Sequence, residues 1–418
     1  MISRCRISLA TEFQRLEPRR VWRVFRIRLS LDASYVDRIR SDFILNDIDR
    51  AYTHGLSVYS LLPSVNIPRI NFMTHLMLRT LRTKFFSNGT LSMKRLVKVW
   101  LSLCALSLLG ACRLVVVASP GDENSQTPWN WSEDYVLEQV GHVRAGKDLN
   151  PESWPGGARV AVLLSYDVDN ETVMGLRTGE ISVGPLSQGQ YGHRVALPRI
   201  VELMNEENIP TTFFFPAWSM KIAPEQAALI NESRLHEIAV HGWIHELNTA
   251  LDAETEERLL RQAVEEIETI SRKSIVGYRA PSWNHSPNTL SIVKEMGFLY
   301  ESSLMHDDRP YELLLDGEPT GIVELPVEWI LDDAPLFNPR GNSYMNPRDV
   351  MQVWIDEFDR AWEEGTLFLL TMHPHVTGHR SRIVALEGLI EHIKAKGDIW
   401  FGTHEEAARY VRQQAGMN

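Results

Sequence analysis

Two histidines four residues apart, His241 and His245, enclose Gly242-Trp243-Ile244. At helical spacing both imidazoles share a face and can reach one metal ion. Gly242 stands where the zinc-protease form of this motif carries its catalytic glutamate, so a base must come from elsewhere. Asp167-Val168-Asp169 follows an apolar run. A turn at the end of that run is expected to bring both carboxylates to one site. One would complete a two-histidine, one-carboxylate metal triad, and the other would stay free as general base for water. Taken singly, the histidines read as surface or capping groups and the aspartates as turn formers. Together they outline metal-assisted hydrolysis. The cysteines are Cys5, Cys104 and Cys112, so no thiolate is available downstream and the donors are imidazole and carboxylate. Such a set suits Zn2+, and Co2+, Mn2+ or another divalent ion fits it too.

These groups need a frame. Short β-rich runs are predicted at 159–166, 211–215, 237–240, 277–280, 322–325, 366–371 and 399–401. Helical spacing occupies 195–208, 224–232, 252–272 (with Asp252 as N-cap), 286–296, 347–364, 382–395 and 403–412. Strand–helix alternation of this kind predicts an α/β fold, a distorted or incomplete (β/α) barrel with about seven parallel strands. Function in such barrels gathers at the C-terminal ends of the strands. Asp167, Asp169, His241, Arg279, Glu324 and His373 all fall at or just past a predicted strand end. The glycine-rich loop 174–192 reads as a lid, a substrate clamp or plain mobile surface.

Five stretches occur in order: Tyr166-Asp167-Val168-Asp169; His236-Glu237-Ile238 with His241 and His245; Arg279-Ala280-Pro281-Ser282-Trp283; Glu324-Leu325-Pro326 with Trp329; and His373-Pro374-His375. The series resembles the polysaccharide deacetylase family (the NodB-homology group, carbohydrate esterase family 4) over roughly residues 159–410. Asp-x-Asp in place of adjacent aspartates, with the stretches 302–308 and 329–335, is most similar to the branch with peptidoglycan-deacetylase-like and allantoinase-like members.

The resemblance implies roles. Asp167 is the general base, and Asp169, His241 and His245 are metal ligands. His373 is the acid that protonates the leaving amine, and Arg279 orients the base by a charge-assisted hydrogen bond. Trp283 and Trp329 wall the substrate groove, with Pro281 and Asp332 as further contacts; core packing is the alternative for the tryptophans. Asp332 or Asp333 orients Arg279 or His373, and the sequence leaves open which. His375 and His379 read as surface loop residues, and His285 and His306 as candidates to line the pocket. The implied reaction is N-deacetylation of an amino-sugar glycan such as peptidoglycan or a chitin-like polymer. Two alternatives stand beside it: hydrolysis of a small cyclic amide or ureide, in a closed pocket completed by a neighbouring subunit of a homo-oligomer, and a non-catalytic carbohydrate-binding relative.

The rest of the chain speaks to location. Of 418 residues, 44% are hydrophobic and 23% charged, an ordinary globular balance. The net charge of −11 argues against a nucleic-acid partner. Residues 1–92 hold 15 Lys+Arg against 7 Asp+Glu, so that stretch carries +8 and the remainder −19. It shows no sustained period and reads as a mis-translated upstream extension. Met93-Lys94-Arg95-Leu96-Val97-Lys98 then precedes an uncharged run, Val99 to Gly110, ending Leu109-Gly110-Ala111-Cys112. That is a basic n-region and an apolar h-region, and its end resembles a lipoprotein signal acylated at Cys112. Residues 93–118 are therefore expected to export the protein or hold it at a membrane by a lipid or an uncleaved anchor, facing the periplasm or exterior. Residues 119–150 read as linker and 151–418 as the catalytic domain.

Overall fold

A computed structural model of the protein describes residues 7–12, 24–29, 127–337 and 344–417. The chain divides into two units, Met1–Ala118 and Ser119–Asn418. In the first, β1 (Ile7–Glu12) and β2 (Val24–Leu29) pair antiparallel, with Ile7 opposite Leu29. This pair lies within the stretch read as upstream extension. The export motif, Cys112 and the linker up to residue 126 lie outside the described residues.

The second unit begins with regular structure where the sequence suggests linker. Helix α1 (Glu133–Gly141) starts at Ser132, whose side chain accepts from the Tyr135 amide, and Glu133 and Asp134 sit at the positive end of the helix. Strand β3 (Val143–Asp148) follows. The remaining strands are β4 (Val160–Asp167), β5 (Thr211–Phe215), β6 (Glu237–Val240), β7 (Gly277–Tyr278), β8 (Tyr300–Glu301), β9 (Tyr311–Leu315), β10 (Glu318–Glu324), β11 (Leu367–Met372) and β12 (Ile399–Phe401). They form one sheet in the order β11-β4-β5-β6-β7-β8-β10-β9-β3, with β12 also paired to β4. Pairing is parallel from β11 to β10, while β9 and β3 join antiparallel. The sheet is a curled half-barrel, in agreement with the expected incomplete barrel. The antiparallel pair that extends it was not expected, because β9 and β3 are short and only partly buried.

Both faces of this sheet are covered, which is why its parallel strands read as apolar runs without alternation. Along β4, Val162, Leu164 and Tyr166 pack into the core cluster shared with the helices. Ala161 and Leu163 turn to the other face, with Phe214, Tyr300, Val323 and Trp154. On the helical side, α2 (Val183–Tyr191) and α3 (Leu197–Glu206) follow β4. Loop 174–192 is thus half helix. Helix α4 (Ala253–Ser271) buries Leu260, Ala263 and Ile267 on one stripe, and its N-cap Asp252 accepts from the Thr255 amide at 2.8 Å. Helices α5 (Asp333–Phe337), α6 (Pro347–Glu364), α7 (Arg380–Lys396) and α8 (His404–Ala415) follow, and shorter helices lie at Ala217–Ile222, Glu225–Asn231 and Thr289–Glu295. Among the described residues no helix is long and apolar enough to cross a membrane.

Candidate metal centre

Strand β4 delivers two carboxylates to one place without the expected turn. Residues two apart in an extended chain share a face, and the Val168 amide still bonds the Phe214 carbonyl at 2.8 Å, so the extended run continues through it. Ser165, Asp167 and Asp169 therefore project together. His241 follows β6 directly. The helix expected across His241–His245 is absent; residues 241–247 are irregular. Gly242 (φ 79°) and His245 (φ 65°) adopt left-handed backbone. A Cβ on Gly242 would meet Pro281 Cγ at 2.6 Å, so glycine is required there for close approach as well as for conformation. The Glu246 carboxylate fixes the turn by accepting from the amides of Trp243 (2.9 Å) and Ile244 (2.7 Å). This local cage aims both imidazoles inward without a helix.

The nitrogen and oxygen atoms offered by Asp169, His241 and His245 lie within 4.8 Å of one another. His241 Nε2 is 3.7 Å from Asp169 Oδ1, and His245 Nε2 is 3.6 Å from Asp169 Oδ2. These are too long for hydrogen bonds but close to the edge, roughly 3.4 Å, of a tetrahedron with metal–ligand bonds of about 2.1 Å. Asp169 is buried, and its Oδ1 has no hydrogen-bond partner. Burial lifts this carboxyl above its ordinary range despite His373 and His241 nearby. His241 Nδ1 lies 2.8 Å from the Arg279 carbonyl; it donates there and leaves Nε2 unprotonated toward the carboxylates. The three residues fit a divalent ion.

Asp167 is held differently. Its Oδ1 accepts from Arg279 Nη1 at 2.7 Å. Burial would raise its pKa, but Arg279, with His241 and His373, outweighs burial and keeps Asp167 below the ordinary carboxylate range. It is a carboxylate beside the cluster, with Oδ2 3.6 Å from His241 Nε2. Arg279 is fully buried, and all its donors are engaged: Ser302 O and Oγ (both 2.9 Å), Ser165 Oγ (3.1 Å) and His404 Nε2 (3.3 Å). Its guanidinium carbon lies 4.0 Å from the centre of the Phe214 ring. His404 was not singled out from the sequence. Burial and then Arg279 drive its pKa well down, so it is neutral and accepts from the guanidinium. Its Nδ1 lies 3.1 Å from Thr212 Oγ1, which donates to Glu237. The available signal was the strand-end rule, since His404 comes just after β12 within a Thr403–Glu406 capping box.

The choice between Asp332 and Asp333 is decided by geometry. Asp333 Oδ1 lies 2.6 Å from His373 Nδ1, and its other oxygen accepts from the amides of His373 (2.9 Å) and Thr377 (3.1 Å). Burial disfavours charge on the His373 ring, yet Asp333, with Asp332 and Asp169, lifts its pKa well above the usual value. These carboxylates favour the charged ring, whose Nε2 lies 3.5 Å from Asp169 Oδ2. Asp332 lies 3.6 Å from His373 Nδ1, and its Oδ1 accepts from the Ala334 amide; burial raises it to about 7. Neither aspartate bonds Arg279. His375, expected on a surface loop, is buried, because the segment after β11 turns at once into a short helix, Pro374–Thr377.

A second carboxylate pair supports this assembly from behind. Glu301 and Glu324 end β8 and β10 side by side. Glu324 accepts from the amides of Ser303 and Leu304 (both 2.9 Å), fixing the loop whose Ser302 holds Arg279. Burial, and then Glu301, push the Glu324 carboxyl well above its usual range. A carboxyl raised on folding holds its proton preferentially in the native state. Its contribution to stability is complete below the unfolded value of about 4.3 and is lost as pH rises toward the raised value, at up to about 1.4 kcal/mol per pH unit. Glu324→Gln is expected to flatten the decline of melting temperature as pH rises from about 4.3 toward the raised value. An unchanged slope in the variant would refute the raised Glu324 carboxyl.

At the edge of the site, Trp283 and Trp329 rings lie 4.2 Å apart, with Trp283 buried and Trp329 46% exposed. Pro281 is buried beneath Gly242. His306 bonds the Tyr311 hydroxyl at 3.0 Å, and His285 Nε2 is buried without a partner.

Comparison with known proteins gives a consistent answer. The sequence profile of the polysaccharide deacetylases matches residues 189–300. The chain is 32% identical over 285 residues to a peptidoglycan deacetylase of Helicobacter pylori, covering 60% of this chain and 97% of that protein. It is 29% identical to a peptidoglycan deacetylase-like protein of Gibberella zeae, covering 60% and 86%. The structure of a Mycobacterium smegmatis protein assigned as a polysaccharide deacetylase superimposes with a TM-score of 0.60 at 34% identity, covering 64% of this chain and 96% of that one. An allantoinase structure shares the fold at a TM-score of 0.55 and 24% identity, covering 62% and 92%.

Proposed function

The chain belongs to the polysaccharide deacetylase family, hydrolases of non-peptide C–N bonds, and from this premise we propose that it removes N-acetyl groups from an amino-sugar glycan, peptidoglycan or a chitin-like polymer, at the Asp169–His241–His245 centre. One observation carries the reading. A buried carboxylate, one oxygen of which has no partner, sits between two inward-facing imidazoles, flanked by a carboxyl held below its ordinary range and a histidine raised above its own.

Asp169, His241 and His245 would hold the ion. When bound, a divalent ion supplies Lewis acidity for the amide carbonyl and for water. Asp167 takes the proton of the attacking water, and Arg279 keeps its carboxylate ionised and aimed. As water adds to the acyl carbon, the C–N bond breaks, and His373 Nε2 gives its proton to the departing amine. Asp333 steadies the imidazolium from the opposite nitrogen. The products are acetate and a free amino sugar. The centre needs neither a serine nor a cysteine nucleophile. The allantoinase likeness bears on the fold alone. The export motif at residues 93–112 supports action outside the cytoplasm, by a chain tethered through Cys112 or the apolar segment.

The test is acetate release from peptidoglycan and chitin oligomers by purified protein given Zn2+, Co2+ or Mn2+. Dialysis against chelator is expected to abolish it, and readdition of one of these ions to restore it. No release with any of the three would overturn the proposal.

A further inference from the structure

The turn between β4 and α2 carries a cation that the reaction above does not use. Arg177 sits in the short 3-10 turn Leu176–Thr178, bracketed by Gly175 (φ 128°) and Gly179 (φ 73°). A Cβ on Gly175 would meet the Glu180 carbonyl at 2.4 Å, so the turn is tightly built. It is tied to the metal-binding segment. The Arg177 amide bonds the Thr172 carbonyl (3.1 Å), and the Thr172 hydroxyl donates to the Asp169 carbonyl (2.7 Å).

The exposed Arg177 side chain has two partners, His245 Nδ1 and Ser282 Oγ, both at 3.1 Å. Both are uncharged. Among the described residues no carboxylate pairs with it. It is not the counter-charge of Asp169 by contact, because the imidazole stands between them: Arg177 meets Nδ1, and Asp169 faces Nε2. An unpaired guanidinium with free donors is a fork shaped for a carboxylate. Its location is specific. Ser282 and Trp283 are consecutive non-glycine residues with left-handed backbone (φ 55° and 52°), a strained arrangement that concentrates at binding sites. They set the Arg177 fork beside the Trp283–Trp329 ring pair. Consecutive residues thus hold a cation suited to an acid and an aromatic pair whose Trp329 ring is half exposed.

We propose that Arg177 is a specificity-determining residue that binds a carboxylate on the glycan, so that the substrate class is an acidic N-acetylated glycan rather than a neutral one. This rests on the glycan-deacetylase reading. A lactyl ether on the sugar and a neighbouring uronic acid both offer the required group.

Three oligomers of matched length separate the possibilities: N-acetylglucosamine alone, the same chain bearing 3-O-lactyl groups, and one alternating with uronic acid. Calorimetric binding to the metal-loaded full-length protein is expected to favour one of the acidic oligomers over the neutral one about tenfold. Arg177→Gln brings that ratio near one, and Arg177→Lys restores part of it. The ratio of kcat/KM values follows, mainly through KM, and narrows as ionic strength rises. Equal binding of acidic and neutral oligomers by the wild type, or a preference that survives Arg177→Gln, overturns the proposal. An Arg177-dependent binding preference without acetate release from any oligomer would support the carboxylate site and refute the deacetylase reading instead.

Discussion

Asp167→Asn is expected to lower the rate of acetate release by about 10²–10⁴-fold, the range a positioned general base contributes, while leaving the protein folded and its metal bound. The amide is isosteric, and its oxygen still accepts from Arg279 Nη1, so the buried guanidinium keeps a partner. The contrast is Asp169→Asn. Both carboxylates approach His241 Nε2 almost equally, at 3.6 and 3.7 Å, so proximity alone does not separate their roles. Their other contacts do. Asp167 Oδ1 is occupied by Arg279, whereas Asp169 Oδ1 has no partner and Asp169 Oδ2 faces His245. Asp169→Asn should therefore lose metal on dialysis along with activity, and Asp167→Asn should lose activity alone. Metal content by elemental analysis, measured beside initial rates, decides between them. Equal metal loss in both variants, or a near-wild-type rate for Asp167→Asn, would reverse the assignment.

Much of this was legible in the sequence because a parallel sheet places chemistry at strand ends. Asp167 closes β4, His241 follows β6, Arg279 follows β7 and His373 follows β11. What the sequence concealed has local causes. The His241–His245 spacing reads as helical, but Glu246 draws two amides into a turn, and no periodicity reports a side chain folding back on its own backbone. Asp332 and Asp333 are adjacent and alike; only the packing of α5 against the end of β11 shows that Asp333 is the one within 2.6 Å of His373. His404 escaped notice because a histidine beside a capping threonine resembles an ordinary helix start. Its role depends on Arg279, 125 residues earlier in the chain.

Arg279→Met should produce the second large effect, and it separates positioning from charge. The substitution keeps much of the volume over the Phe214 ring but removes the guanidinium bonded to Asp167. Breaking one side of a buried pair costs about 3–5 kcal/mol, so a substantial fall in melting temperature is expected. Asp167 then answers to burial, and its pKa rises. The sign of the pH effect follows. In the wild type the depressed carboxyl stays ionised to low pH, and the stability it contributes is lost only as pH falls through that depressed value. In Arg279→Met the base protonates at higher pH, so the acidic limb of kcat/KM moves upward, and part of the lost activity returns as pH is raised. Arg279→Lys keeps the charge without the planar fork, and should restore the position of the limb better than the rate. A structural disturbance alone would lower activity evenly across pH. An unshifted acidic limb in folded Arg279→Met would show that Arg279 does not govern the ionisation of Asp167. The double variant Asp167→Asn/Arg279→Met completes the argument: with no carboxylate left to orient, the second substitution should cost far less activity than it does alone.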